Sequence, residues 1–142
     1  MKASIIVFPG SNCDRDIAVS ITKLTDLEPI MVWHKETSMP DSDLIIIPGG
    51  FTFGDYLRCG SIAANSPIMK DVIKKATDGL PTLGICNGFQ ILTESGLLPG
   101  TLIKNDCLSF LCKTVSISVE NNKTSFSKKY KQNDHIRKDR CS

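Results

Sequence analysis

No apolar run in these 142 residues approaches the ~20 consecutive residues that cross a bilayer, so no membrane span is expected. The phosphate-cradling P-loop pattern and the G-x-G-x-x-G dinucleotide fingerprint are both missing. Histidine is scarce, with only two residues, and no Cys-x-x-Cys or Cys/His cluster has zinc-site spacing, so no metal is expected. Strong charge is lacking too. A net charge of +2 is too small to point to a nucleic acid or a membrane surface as partner. No leader segment is read at the start, because Met1-Lys2 runs into a short apolar stretch that stops at Pro9-Gly10. The expected location is therefore cytoplasmic.

Cysteine, by contrast, is present six times, at positions 13, 59, 86, 107, 112 and 141. An even count invites a disulfide reading. A chain long enough to bury one real core does not need bridges, and reduced thiols are the expectation. Apolar residues make up 41% and charged residues 23%, as in an ordinary globular domain. Charge is uneven, however. Residues 121–142 hold seven of the 17 Lys and Arg but two of the 15 Asp and Glu, so this tail carries about +5 and the preceding 120 residues about −3. The domain is expected to span 1–120, with 121–142 a basic, loosely ordered tail whose few apolar residues cannot offset the entropy of ordering it.

Short apolar runs alternate with helical patterns over the first 100 residues. Ser4 to Phe8, Pro29 to Trp33, Leu44 to Ile47 and Leu80 to Ile85 read as strands. A first helix is expected to be capped by Asp14 or Asp16, with Ile17, Ile21 and Leu24 on its inner face. A second opens at Ser66-Pro67, with Ile68, Val72 and Ile73 inward and Lys74 and Lys75 outward. A third runs from Phe89 to Glu94 and stops at Gly96. Strands apolar on both faces, each followed by a helix, imply an α/β fold with a doubly wound, mostly parallel sheet. Ligands of such sheets bind at the carboxyl ends of the strands. Pro9-Gly10-Ser11-Asn12, Pro48-Gly49-Gly50 and Cys86-Asn87-Gly88 all fall on that rim. Beyond Gly100 the pattern changes. Val115, Ile117 and Val119 alternate with polar residues, as in an antiparallel strand with one wet face.

Gly84-x-Cys86-x-Gly88, between a strand and a helix, has the form of a nucleophile elbow with Cys in place of Ser. The strained turn pushes the nucleophile out at the top of the sheet, and the flanking glycines let neighbouring backbone pass without a Cβ clash. The helix dipole stabilises negative charge on the sulfur, and the Asn87 N–H faces the oxyanion of a tetrahedral intermediate. A cysteine at a strand end is otherwise a small buried hydrophobe. Here the two glycines favour the nucleophile. Cys107 and Cys112 read as strand packing, Cys13 and Cys59 as loop residues. Pro48-Gly49-Gly50 supplies amides for a second half of an oxyanion hole. A thiol nucleophile also needs a base, and neither His34, read as an exposed strand-end residue, nor His135, read as a solvated loop residue, is assigned that role.

The string Pro48-Gly49-Gly50-Phe51-Thr52-Phe53-Gly54-Asp55-Tyr56-Leu57-Arg58-Cys59-Gly60, the opening Val7-Phe8-Pro9-Gly10-Ser11-Asn12-Cys13-Asp14 and the elbow Gly84-Ile85-Cys86-Asn87-Gly88-Phe89-Gln90 resemble the glutaminase subunits of phosphoribosylformylglycinamidine synthase, within the class I glutamine amidotransferases. The resemblance covers roughly residues 1–136. It implies a flavodoxin-like sheet and a Cys86 that attacks the side-chain amide of glutamine, forming a γ-glutamyl thioester and releasing ammonia. Amides of Asn87 and of Gly50 or Phe51 would hold the oxyanion. The partners it implies are a large synthase subunit, which uses the ammonia with ATP and magnesium to turn formylglycinamide ribonucleotide into its amidine, and a small accessory subunit. It implies no cofactor on this chain. The base and its acid belong to a downstream His-x-Glu that is not reached here, and His135-Ile136-Arg137 does not supply it. The fold is accordingly expected to be incomplete at the C-terminus. A non-catalytic remnant that only docks on the synthase subunit is the competing expectation.

Overall fold

The computed structural model describes residues 1–109 and 112–141; for residues 112, 113 and 136–141 only the backbone is described. Two compact units divide the chain, Met1–Leu102 and Ile103–Ser142.

The first unit is built on two strands that are apolar except for the buried Ser4. Strands β1 (Ala3–Val7) and β3 (Leu44–Ile47) lie side by side, flanked by β2 (Ile30–Trp33) and β4 (Thr82–Gly84) in the order β2-β1-β3-β4. All pairings are parallel, with Ser4 opposite both Ile30 and Ile45, and Ile46 opposite Leu83. Alternate residues of β1 and β3 feed opposite faces. Ala3, Ile5, Leu44 and Ile46 meet Ile17, Ala18 and Ile21 of α1 (Asp14–Thr25) on one side. On the other, Ile6, Phe8, Ile45 and Ile47 meet Ala63 of α2 (Ser61–Ala64), Ile68, Met69 and Val72 of α3 (Pro67–Thr77) and Ile91 and Leu92 of α4 (Asn87–Glu94). Each fully buried isoleucine contributes roughly 2 kcal/mol of transfer free energy, so the central pair anchors the unit. The fold is α/β, with helices on both faces of a parallel sheet.

Several local expectations change. Only β1 and β3 are mostly buried; β2 exposes Ile30, Met31 and Trp33 because it is an edge strand, with no strand paired beyond it among the described residues. Neither Asp14 nor Asp16 caps α1. Cys13 takes the position before the helix with no side-chain bond, and both aspartates lie in the first turn, where the helix dipole favours them. Leu24 points to solvent, past the end of the stripe that packs on the sheet. Helix α3 starts at Pro67 as the Ser-Pro signal implies, and its Asp71 accepts the Met39 N–H at 2.8 Å, tying down the loop after β2. Lys75, expected to point outward, bends back to the Met39 carbonyl at 2.9 Å.

In the second unit, β5 (Cys112–Ser118) pairs antiparallel with β6 (His135–Cys141), Val115 opposite Lys138. The antiparallel strand expected over Thr114 to Val119 is realised as far as Ser118, although Ile117, on its apolar side, is exposed. The stretch 121–142, expected to be loose, holds β6 and a set of turns between residues 124 and 133. The reason is pairing: Ser116 to Ser118 offer ladder partners to residues 135–137, which a composition argument does not see. The units divide after Leu102 rather than at 120. Cys107 lies exposed in a turn, not in a strand, and the side chain of Cys112 lies outside the described residues.

Candidate active site

Strand β4 delivers the chain to Ile85, whose N–H donates to the Ile47 carbonyl at 3.0 Å and holds the next turn against β3. At Cys86 the backbone takes φ 53° and ψ −110°, a conformation that a residue with a Cβ adopts at a cost of about 1–3 kcal/mol. The surroundings over-determine it. Gly88 N–H donates to Ile85 O at 2.9 Å, and Phe89 and Gln90 N–H both donate to Cys86 O, at 3.0 and 3.3 Å. Helix α4 therefore begins at Asn87, two residues before the apolar pattern would start it. The glycines are sterically required. A Cβ on Gly84 would lie 2.6 Å from the Gly88 carbonyl oxygen, and one on Gly88 would lie 2.0 Å from that of Ile47. Cys86 is exposed at the helix N-terminus.

Three loops meet around it. The loops after β1 and β3 are stitched by Asn12 and Cys13 N–H to Gly49 O (3.1 and 3.2 Å), Phe51 N–H to Gly10 O (2.9 Å) and Phe53 N–H to Pro9 O (2.8 Å). Gly50 has φ 150°, and a Cβ there would strike Gly10 O at 2.4 Å. β1 and β3 are the adjacent strands from which the chain winds in opposite directions, the crevice where such sheets take ligands. Of the two amides considered beside that of Asn87, the Phe51 N–H is taken by Gly10. The N–H groups of Gly50 and Asn87 meet no protein acceptor among the described residues.

Sequence reasoning missed the second layer. The side chain of Asn87 is completely buried. It accepts the Thr52 N–H at 3.1 Å and donates to Asp55 (3.1 Å) and Gln90 (2.8 Å). Thr52 and Asp55 lie in a 3-10 turn, Thr52–Asp55, in which Phe53, Gly54 and Asp55 all have positive φ, and Gln90 lies in α4. Arg58 closes the far end of the same loop on Glu94 of α4, at 2.7 Å. The guanidinium holds the Glu94 carboxyl below its usual range. Burial and the neighbouring Asp55 push the Cys59 thiol up. The only sequence signal for this layer is the unusual Gly-bounded string 49–60.

His34 is not an exposed strand-end residue. Its N–H bonds Val7 O and its carbonyl takes Ile68 N–H, which places the ring under the loop, packed against Phe8, Trp33 and Phe53. It is 7% exposed, its Nδ1 has no partner, and burial, with Lys35 second, holds its pKa below 6.5. His135 is exposed at the start of β6 in the second unit. Among the described residues no cluster of three His, Cys, Asp or Glu is arranged to hold a metal ion, and no helix is long and apolar enough to cross a membrane. An open groove of ≈490 Å³ beside α1, lined by Val19, Lys23, Glu28 and Met31 among others, shares no residue with the elbow.

A parallel sheet with a strained, glycine-flanked cysteine at the strand-to-helix turn, beside amides with no protein acceptor among the described residues, defines the class: an α/β domain with an elbow-like turn at a cysteine. The chain belongs to the CobB/CobQ-like glutamine amidotransferase domain family, whose model matches residues 1–136. It is 57% identical over 137 residues to the phosphoribosylformylglycinamidine synthase subunit PurQ of Zymomonas mobilis and 50% identical to that of Rhizobium johnstonii. Each match covers 96% of this chain but 62% and 61% of the relatives, so the chain spans about six tenths of their length. The structure of PurLQS from Thermotoga maritima contains a chain that matches with a TM-score of 0.85 at 42% identity, over 99% of this chain and 66% of that one.

Proposed function

We propose that this chain is the nucleophile-bearing part of a glutaminase subunit that supplies ammonia to phosphoribosylformylglycinamidine synthase. The observation that carries the reading is the backbone at Cys86: exposed, at positive φ, and held there by glycines that admit no Cβ. The thiolate attacks the side-chain carbonyl carbon of glutamine. The amides of Asn87 and Gly50 receive the oxyanion, and ammonia leaves as the γ-glutamyl thioester forms. Water then releases glutamate. The name of the Zymomonas mobilis relative supports the purine-pathway assignment. The synthase partner and a small accessory subunit are proposed from the PurLQS assembly, with ATP and magnesium used by the large subunit and no cofactor on this chain.

A second reading, a docking element without turnover, is favoured by one observation. In the first unit the only histidine, His34, sits in an aromatic cage with no hydrogen bond to Cys86. Glutamine hydrolysis measured with the synthase and accessory subunits present separates the two. Turnover abolished by Cys86→Ser supports the first, and no turnover supports the second. Labelling by diazo-oxonorleucine tests the glutamine pocket itself. The adduct is expected on Cys86, and an adduct on a different cysteine would overturn the assignment.

A further inference from the structure

The proposed nucleophile has a second thiol for a neighbour. A Cβ built on Gly49 would lie 3.4 Å from the Cβ of Cys86 and 3.5 Å from the Sγ of Cys13. The two cysteines therefore approach one point from different loops, one after β1 and one after β4, and the missing side chain of Gly49 leaves the space between them open. Backbone bonds hold both loops near that point: Cys13 N–H to Gly49 O at 3.2 Å, and Ile85 N–H to Ile47 O at 3.0 Å. Both thiols are unbridged, Cys86 exposed and Cys13 half-buried. Burial and Asp55 push the Cys59 thiol up, which disfavours its thiolate and makes it a poor competitor.

We propose that Cys86 and Cys13 form a reversible disulfide when the protein meets a peroxide, with Cys86 the attacked sulfur and Cys13 the resolving one. The inference rests on reading Cys86 as the exposed nucleophile. The Cys86 sulfur takes one peroxide oxygen as the O–O bond breaks, giving a sulfenic acid and water. The Cys13 sulfur then attacks the Cys86 sulfur. The S–S bond forms, the S–O bond breaks, and the departing hydroxide leaves as water with the Cys13 proton. Two electrons pass from the thiol pair to the peroxide. The Cβ of Cys86 and the Sγ of Cys13 lie within roughly 7 Å of each other, and bridging needs Cβ atoms about 3.5–4.5 Å apart, so side-chain rotation and a small loop shift must close the gap. The bond would block glutamine attack while sparing Cys86 the irreversible sulfinic and sulfonic states.

The full reduced chain is treated with hydrogen peroxide, its remaining thiols are alkylated, and it is digested without reductant and mapped by mass spectrometry. Diazo-oxonorleucine labelling of the reduced chain runs in parallel. A Cys13–Cys86 linked peptide that disappears on adding dithiothreitol is expected. In Cys13→Ser it should be replaced by Cys86 sulfinic acid that dithiothreitol does not reverse, whereas Cys59→Ser should retain the link. Cys86 that takes the glutamine analogue yet shows no link to Cys13, or links to Cys59 instead, overturns the proposal and leaves the glutaminase reading standing. Cys86 inert to both reagents overturns both. Should Cys13→Ser fail to fold, the peptide map of the unsubstituted chain decides alone.

Discussion

At the residue scale, the site depends on polar and steric details that single substitutions expose. Asn87 satisfies three partners from a fully buried position. Asn87→Ala leaves the Thr52 N–H without its acceptor, and a loss of about 2 kcal/mol in urea-denaturation stability is expected, with faster amide exchange over residues 52–55. His34 gives the molecule a pH response of definite sign. Its folded pKa lies below 6.5, so between that value and 6.5 the unfolded chain binds a proton that the folded chain refuses. The contribution of His34 is complete above pH 6.5 and is lost as pH falls through the folded value. His34→Phe removes the unpaired Nδ1 and should flatten that acid limb, as read from denaturation midpoints between about pH 7.5 and pH 5.

At the element scale, the turn from β4 into α4 works because two glycines let it press against β3. Gly88→Ala puts a methyl group into the Ile47 carbonyl and is expected to cost about 3 kcal/mol or more, with loss of Cys86 labelling. Gly79 is the control. Unlike Gly88 it has positive φ (99°), and nothing lies within 4 Å of its absent Cβ, so Gly79→Ala should cost only the backbone strain, about 1–2 kcal/mol, and leave labelling intact. The strand runs and the elbow were legible in the sequence because each rests on neighbours within a few residues. The start of α4 at Asn87 was not, because Asn87 and Gly88 are apolar-pattern blanks whose helical state is decided by the bonds of the first turn to the carbonyls of Ile85 and Cys86. Helix α2 and the turn Thr52–Asp55 carried no periodic signal at all. They exist because Gly60 lets the loop lie against the backbone of Gln90 and Ile91.

At the scale of the whole molecule, the two units differ in how their sheets are supported. In the first, β1 and β3 are covered on both faces and paired on both edges. In the second, β5 and β6 form a two-stranded ladder, an arrangement of marginal stability by itself. Amide exchange should therefore be slowest at Ile5, Ile6, Ile45 and Ile46 and orders of magnitude faster at Val115 and Ile117, read by mass spectrometry or NMR. Equal protection of the two sheets would contradict this division.

Local covalent chemistry was enough to announce the parallel sheet, the glycine-flanked thiol and the family, since apolar runs and Cβ-free positions act on the chain within a turn or a strand. Other features joined residues far apart in sequence. The Phe51 amide is committed to Gly10 while that of Gly50 stays open, His34 is enclosed by Phe8 and Phe53, and Cys13 faces Cys86 across Gly49. Tertiary folding decided these, because hydrogen-bond partners and burial are set by which loops the crossovers of the sheet bring together, and no periodicity in the chain encodes that.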